Sequence, residues 1–141
     1  METQVADLLG GERVLGASVK SNLELAHATR EGLPVETAVR LIATIRGSGV
    51  PMGGAMGPLG DLATAQGEAR LTPAQSDLVI RTARALAKAI DTLGDREKAA
   101  HWLTTPKLAL GGEIPIALLD TSAGAHEVEA LLERIEYGVY S

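Results

Sequence analysis

An all-α fold is predicted from three observations. Hydrophobic residues make up 45% of the 141-residue chain, yet aromatics are only 2% and Phe is absent. A core of Leu, Ile, Val and Ala suits packed helices better than a β-sandwich. Helix-start and helix-stop residues recur along the chain, and no alternating apolar run is long enough to mark a strand.

Taken in order, Thr3 reads as the cap of a short helix through Leu9, stopped by Gly10-Gly11. Ser21 with Glu24 has the spacing of a capping box, opening a helix that Gly32 closes. Leu33-Pro34 opens another helix, with Pro34 at its first position, where a missing N–H costs little. Val35, Val39, Ile42 and Ile45 lie near one face of that helix before Gly47 ends it. Residues 47–60 (GSGVPMGGAMGPLG) are rich in Gly and Pro and poor in helix propensity. A short helix is expected from about Gly60 to Gln66.

Thr72-Pro73-Ala74-Gln75 is the clearest start: a cap, Pro at the first position and Gln at the third. That helix is expected to reach Leu93, with Gly94 as its C-cap. Val79, Ala83, Leu86, Ile90 and Leu93 repeat at spacings of four and three, a seam for packing along another helix and compatible with a dimer. Asp95 caps the next helix through Leu103. After Pro106 a loop through Gly111-Gly112 leads to a short helix from Pro115 to Leu119. The last helix, roughly Gly124 to Tyr137, buries Val128, Leu131, Leu132 and Ile135.

Composition excludes several classes of function. The absence of Cys removes disulfides and thiolate metal sites and suits a reducing cytoplasm. No apolar run approaches a membrane span, and Met-Glu-Thr-Gln lacks the charge and apolar region of a signal peptide. The chain therefore reads as soluble and cytoplasmic. A net charge of -5 argues against whole-molecule attraction to nucleic acid. The charge is uneven, however: between Arg70 and Lys88, Arg70, Arg81, Arg84 and Lys88 stand against Asp77 alone. Beyond Thr121, Glu127, Glu129, Glu133 and Glu136 face only Arg134.

Catalytic patterns are missing. His27, His101 and His126 have no helical metal-ligand spacing, so no metal or cofactor is expected. The Gly-rich stretch lacks both the Gly-Lys-Ser/Thr ending of a P-loop and GxGxxG spacing. No Ser sits in a recognisable triad arrangement. Trp102, the only Trp, reads as a core anchor between helices, with a contact exposed to a partner as the alternative. Arg81, Arg84 and Lys88 form a stripe opposite the apolar seam, expected to be a solvated face or a phosphate-contacting one.

A family pattern runs through the C-terminal third. W-L-x-x-P (Trp102 to Pro106) is followed by L-G-G-x-x-P (Leu110 to Pro115) and L-L-D-T-x-x-G (Leu118 to Gly124), and it ends with V-x-x-L-L-x-R-I-E-x-G (Val128 to Gly138). This resembles the toxin-binding domain of the Xre/MbcA/ParS antitoxins, of the ParS-like kind that partner RES-domain toxins. RLTPAQSDLVIRTARAL (Arg70 to Leu86) is similar to the helix joining that domain to an Xre-like helix-turn-helix. The resemblance implies three segments: a degenerate helix-turn-helix region over 1–69, a connecting helix over 70–94 and a toxin-binding domain over 95–141. It implies an antitoxin, not an enzyme, forming a homodimer within a toxin–antitoxin hetero-oligomer.

RES-domain toxins consume NAD by hydrolysis or phosphorolysis, or use it for ADP-ribosyl transfer. The resemblance implies neutralisation by laying the C-terminal segment across the toxin's NAD pocket. Glu133, Glu136, Tyr137, Val139, Tyr140 and Ser141 are then the toxin-contacting residues. A Tyr ring stacks where an aromatic ligand would, and a terminal carboxylate meets cations that otherwise hold pyrophosphate. The alternative is a DNA-binding autoregulator using Arg70, Arg81, Arg84 and Lys88. Against it, the stretch matching the DNA-reading helix, Asp61 to Glu68, carries no Arg or Lys.

Overall fold

The structure is a computed structural model that describes residues 2–15, 21–47, 58–60, 62, 70–136 and 138. It is helical: α1 (Glu2–Leu8), α2 (Gly11–Leu15), α3 (Asn22–Glu31), α4 (Val35–Arg46), α5 (Pro73–Leu93), α6 (Arg96–Leu103) and α7 (Ser122–Glu136). Two 3₁₀ segments, Leu108–Leu110 and Pro115–Asp120, lie between α6 and α7. Among the described residues the only β pairing is two isolated bridges, Pro34 with Arg70 and Lys107 with Glu113.

Helix α5 is the axis of the molecule because its start is fully capped and its sides are small. The Thr72 N–H donates to Gln75 Oε1 at 2.9 Å, and the Gln75 N–H donates to Thr72 Oγ1 at 3.1 Å. At the other end the Gly94 N–H donates to the Ile90 carbonyl at 2.8 Å. Ser76, Val79, Ile80, Thr82, Ala83, Ala85, Leu86, Ala87 and Ala89 are all buried. Burial therefore covers most of the circumference, not one seam with an opposite solvated face. The physical reason is alanine: at 83, 85, 87 and 89 it lets neighbouring helices approach from several directions.

The expected seam is thus spent inside the chain. Val79, Ala83 and Leu86 pack in a single hydrophobic core that also holds Val5 and Leu9, Leu41 and Ile45, Leu103, Leu119 and Leu132. Each such aliphatic side chain contributes about 1.5–3 kcal/mol on burial. The core runs unbroken through all three segments read from the sequence.

The N-terminal helices are fastened to α5 through the Gly32-Leu33-Pro34 link. The Leu71 N–H donates to the Leu33 carbonyl, and the Leu33 N–H to the buried Ser76 Oγ, both at 2.8 Å. Arg70 Nη1 donates to the Gly32 carbonyl at 2.8 Å. Gly32 has φ +91°, and a Cβ there would overlap the Leu71 carbonyl oxygen. This pairing holds Pro34 extended (φ -57°, ψ 142°), so α4 begins at Val35 and Pro34 sits just outside it. The buried face of α4 is Thr37, Ala38, Leu41, Ile42 and Ile45, and Val39 is exposed. The i, i+3, i+4, i+7 series from Ala38 to Ile45 wins over the one through Val39. Helices α3 and α4 around this link are consistent with a helix-turn-helix-like region.

Other boundaries move by small amounts. Helix α1 starts at Glu2, so Thr3 lies within it, and α2 is an element the sequence reading lacks. Ser21 caps α3, its Oγ accepting from the Glu24 N–H at 3.2 Å. Asp95 caps α6, accepting from the Lys98 N–H at 2.7 Å. The Pro115 segment is 3₁₀ and not α, and α7 begins at Ser122, earlier than Gly124. Thr121 sets that start, its Oγ1 accepting from the Gly124 N–H at 3.0 Å. The helix expected over 60–66 lies mostly outside the described residues, although Leu59 and Leu62 are buried.

Candidate partner-binding surface

The C-terminal surface is assembled on α5 by α6, the two 3₁₀ segments and α7. Its tightest point is Gly124, where a Cβ would collide with the backbone of Leu118. The absent side chain lets α7 fold back onto the Pro115–Asp120 segment, which gives the L-L-D-T-x-x-G pattern a steric meaning. Inside that contact Ile116, Leu119, Ala125, Val128 and Leu132 are buried.

The four cations on and before α5 do not form one open stripe. Arg81 bonds Asp77 through Nε at 3.0 Å and Nη2 at 2.5 Å, and its Nη1 donates to the Leu119 carbonyl. Its side chain is only 19% exposed. Arg84 Nη2 donates to Asn22 Oδ1 at the start of α3. Lys88 pairs with Glu133 of α7 at 3.4 Å, and Arg70 is on the Gly32 carbonyl. The expectation of a solvated face opposite the seam fails because helices flank α5 on both sides. The guanidinium and ammonium groups are drawn to the nearest carbonyl, amide or carboxylate.

On α7, Glu133 and Glu136 are exposed in the last turn. Carboxylates at a helix C-terminus face the negative end of the dipole, at about 0.3–1 kcal/mol each. Lys88 offsets this for Glu133. Tyr137, Val139, Tyr140 and Ser141 lie outside the described residues, as does most of the Asp61–Glu68 stretch. His27, His101 and His126 are exposed, and among the described residues no group of His and carboxylates is placed to hold a metal. No described helix is long and apolar enough to cross a membrane.

The structure also brings Trp102 together with Lys107 and Leu108, two residues the sequence reading passed over. Trp102 packs against the core but remains half-exposed, with Lys107 Nζ 5.3 Å from its ring centre. Lys107 Nζ donates to Thr105 Oγ1 at 2.7 Å, and burial pushes its pKa below the usual lysine value. Beside them Leu108 is 96% exposed at the tip of the first 3₁₀ segment. Trp102, Pro106, Lys107, Leu108, Leu131 and Ile135 line a shallow groove. The signal available in the sequence was a Leu placed between Pro106 and Gly111-Gly112, in a turn context where apolar side chains find little cover.

Residues 88–138 match the family model described as the antitoxin Xre/MbcA/ParS C-terminal toxin-binding domain. The chain is 41% identical over 75 residues to the "Antitoxin Xre" of Yersinia enterocolitica, covering 52% of this chain and 51% of that protein. It is 38% identical over 76 residues to that of Photorhabdus laumondii, covering 53% and 51%. The third, from Pseudomonas putida, is 37% identical over 68 residues, covering 48% and 43%. The chain thus spans about half the length or less of these curated relatives. With a helical fold throughout its described residues and a C-terminal part that fits the toxin-binding model, the chain resembles the Xre/MbcA/ParS antitoxins.

Proposed function

We propose that this chain is an antitoxin that binds and neutralises a RES-domain, NAD-consuming toxin, covering its NAD pocket with the end of α7 and residues 137–141. The match of residues 88–138 to a toxin-binding domain carries this reading. It is supported by the end of α7, where Glu133 and Glu136 stay exposed against the helix dipole. Carboxylates kept where they cost stability fit a role in meeting a basic rim and speeding encounter. Removal of Val139 to Ser141, or Tyr140→Ala, is expected to weaken neutralisation while circular dichroism stays that of the full helical fold. Inhibition of NAD consumption by the truncated chain at full strength would eliminate occlusion as the mechanism.

The DNA-binding reading loses support from the geometry. Arg70, Arg81, Arg84 and Lys88 each contact another part of the chain, and Arg81, bonded through all three of its nitrogens, is the least free to take a phosphate. A homodimer within the toxin complex remains part of the proposal. Its contact lies away from Val79 and Leu86, which the chain buries itself.

A further inference from the structure

We propose that Leu108 and the groove beside it form a second docking surface for the toxin, receiving an apolar patch of that protein with a carboxylate at its edge. This rests on the antitoxin reading above and adds a contact separate from the tail. Among the described residues the large hydrophobics left exposed are Leu23, Val39 and Leu108, and only Leu108 falls within residues 88–138. It is also the most exposed of them. A domain matched as toxin-binding thus presents one large apolar knob.

The knob is held rigidly. The Lys107 N–H donates to the Glu113 carbonyl at 3.0 Å, and the Gly112 N–H returns to the Lys107 carbonyl at 2.9 Å. The Leu110 and Gly111 N–H groups donate to the carbonyls of Lys107 and Leu108, each at 3.0 Å. A side chain mounted on a pre-ordered turn loses little conformational freedom on binding.

The chemistry of the partner follows from the groove. Trp102 supplies a partly exposed aromatic wall, of a residue type in which binding energy at interfaces concentrates, and Leu131 and Ile135 line the rest of the groove. Lys107 carries a partly desolvated ammonium over Trp102, and no carboxylate among the described residues pairs with it. An acidic side chain on the partner would complete it. Ile135 of the groove precedes Glu136 directly, so the surface is continuous with the end of α7 and one toxin molecule can span both.

The test uses the single Trp of the full chain. With 5-fluorotryptophan incorporated, Trp102 gives one fluorine resonance, and an unlabelled RES-domain toxin is added. Complex formation is expected to shift that resonance. Leu108→Asp is expected to weaken the affinity by about 30-fold or more, the loss of a hot-spot side chain. Leu23→Asp, with the same change of character far from the groove, should leave it unchanged. Tight binding with an unmoved resonance and an unaffected Leu108→Asp variant would overturn the surface while leaving the antitoxin reading in place. No binding by the unmodified chain would overturn both. A resonance that shifts with the chain's own concentration, without toxin, would assign the groove to a second copy instead.

Discussion

The cation row of α5 and the turn at Lys107–Glu113 make opposite impressions in sequence and in structure. Arg81, Arg84 and Lys88 recur at helical spacing and look like a surface offered to a polyanion. Folded, they hold the chain together: Arg81 reaches the Leu119 carbonyl, Arg84 reaches α3 and Lys88 reaches α7. The turn, by contrast, reads as a Pro-broken connection, yet it presents Leu108 almost wholly to solvent. The difference teaches that periodicity locates a side chain on a helix but says nothing about what covers it. A long guanidinium can be consumed by a neighbouring backbone carbonyl, whereas a Leu on a tight turn can edge a groove and still be left almost uncovered.

Four substitutions probe that contrast, in decreasing order of effect. Gly124→Ala is expected to destabilise by about 3 kcal/mol or more, the upper end of overpacking costs, because its Cβ meets the Leu118 backbone. Helical Gly→Ala changes usually gain up to about 1 kcal/mol, so the sign alone decides. Urea unfolding monitored by circular dichroism would show it, and a gain in stability would mean that α7 does not approach the 3₁₀ segment so closely.

Arg81→Met is next, at about 1–3 kcal/mol, since it keeps the aliphatic stem but leaves the Leu119 carbonyl without its charged donor. The same denaturation on Lys88→Met should show no more than about 1 kcal/mol, because Lys88 bonds at 3.4 Å to a carboxylate that is itself exposed and buries no carbonyl partner. Equal effects of the two would return Arg81 to the solvated face expected from sequence.

Leu108→Ser should change stability by less than about 0.5 kcal/mol, as for a surface position making no buried contact. A clear drop in the urea midpoint would place Leu108 among the residues that build the domain and remove the contrast with Arg81.

Much of the fold was legible because helix ends are local chemistry. Thr72, Pro73, Gln75 and Gly94 bracket α5, and Asp95 opens α6, through bonds between residues at most four apart. The candidate surface was less legible. The resemblance pointed to the C-terminal third of the chain, where the family model also matches, but Glu133 and Glu136 are its only predicted contacts that fall within the described residues. Trp102 was expected chiefly as a core anchor, with a partner contact as the alternative. It packs against the core and also walls a groove, because Lys107 and Leu108 come round to its open edge.

The amino-acid order was sufficient for the helical class, for the starts of α3, α5 and α6, and for a C-terminal pattern resembling a toxin-binding domain. Each depends on a side chain acting on backbone within one turn, or on a linear motif. The burial of α5 around most of its circumference, the extended Pro34 and the exposure of Leu108 came only with folding in three dimensions. These depend on which distant segment arrives alongside: Arg70 and Leu71 beside Gly32 to Pro34, Leu119 beside Arg81, Leu131 and Ile135 beside Leu108 without covering it. Spacing along a chain carries no record of such meetings, because a partner forty residues away follows from how whole helices pack.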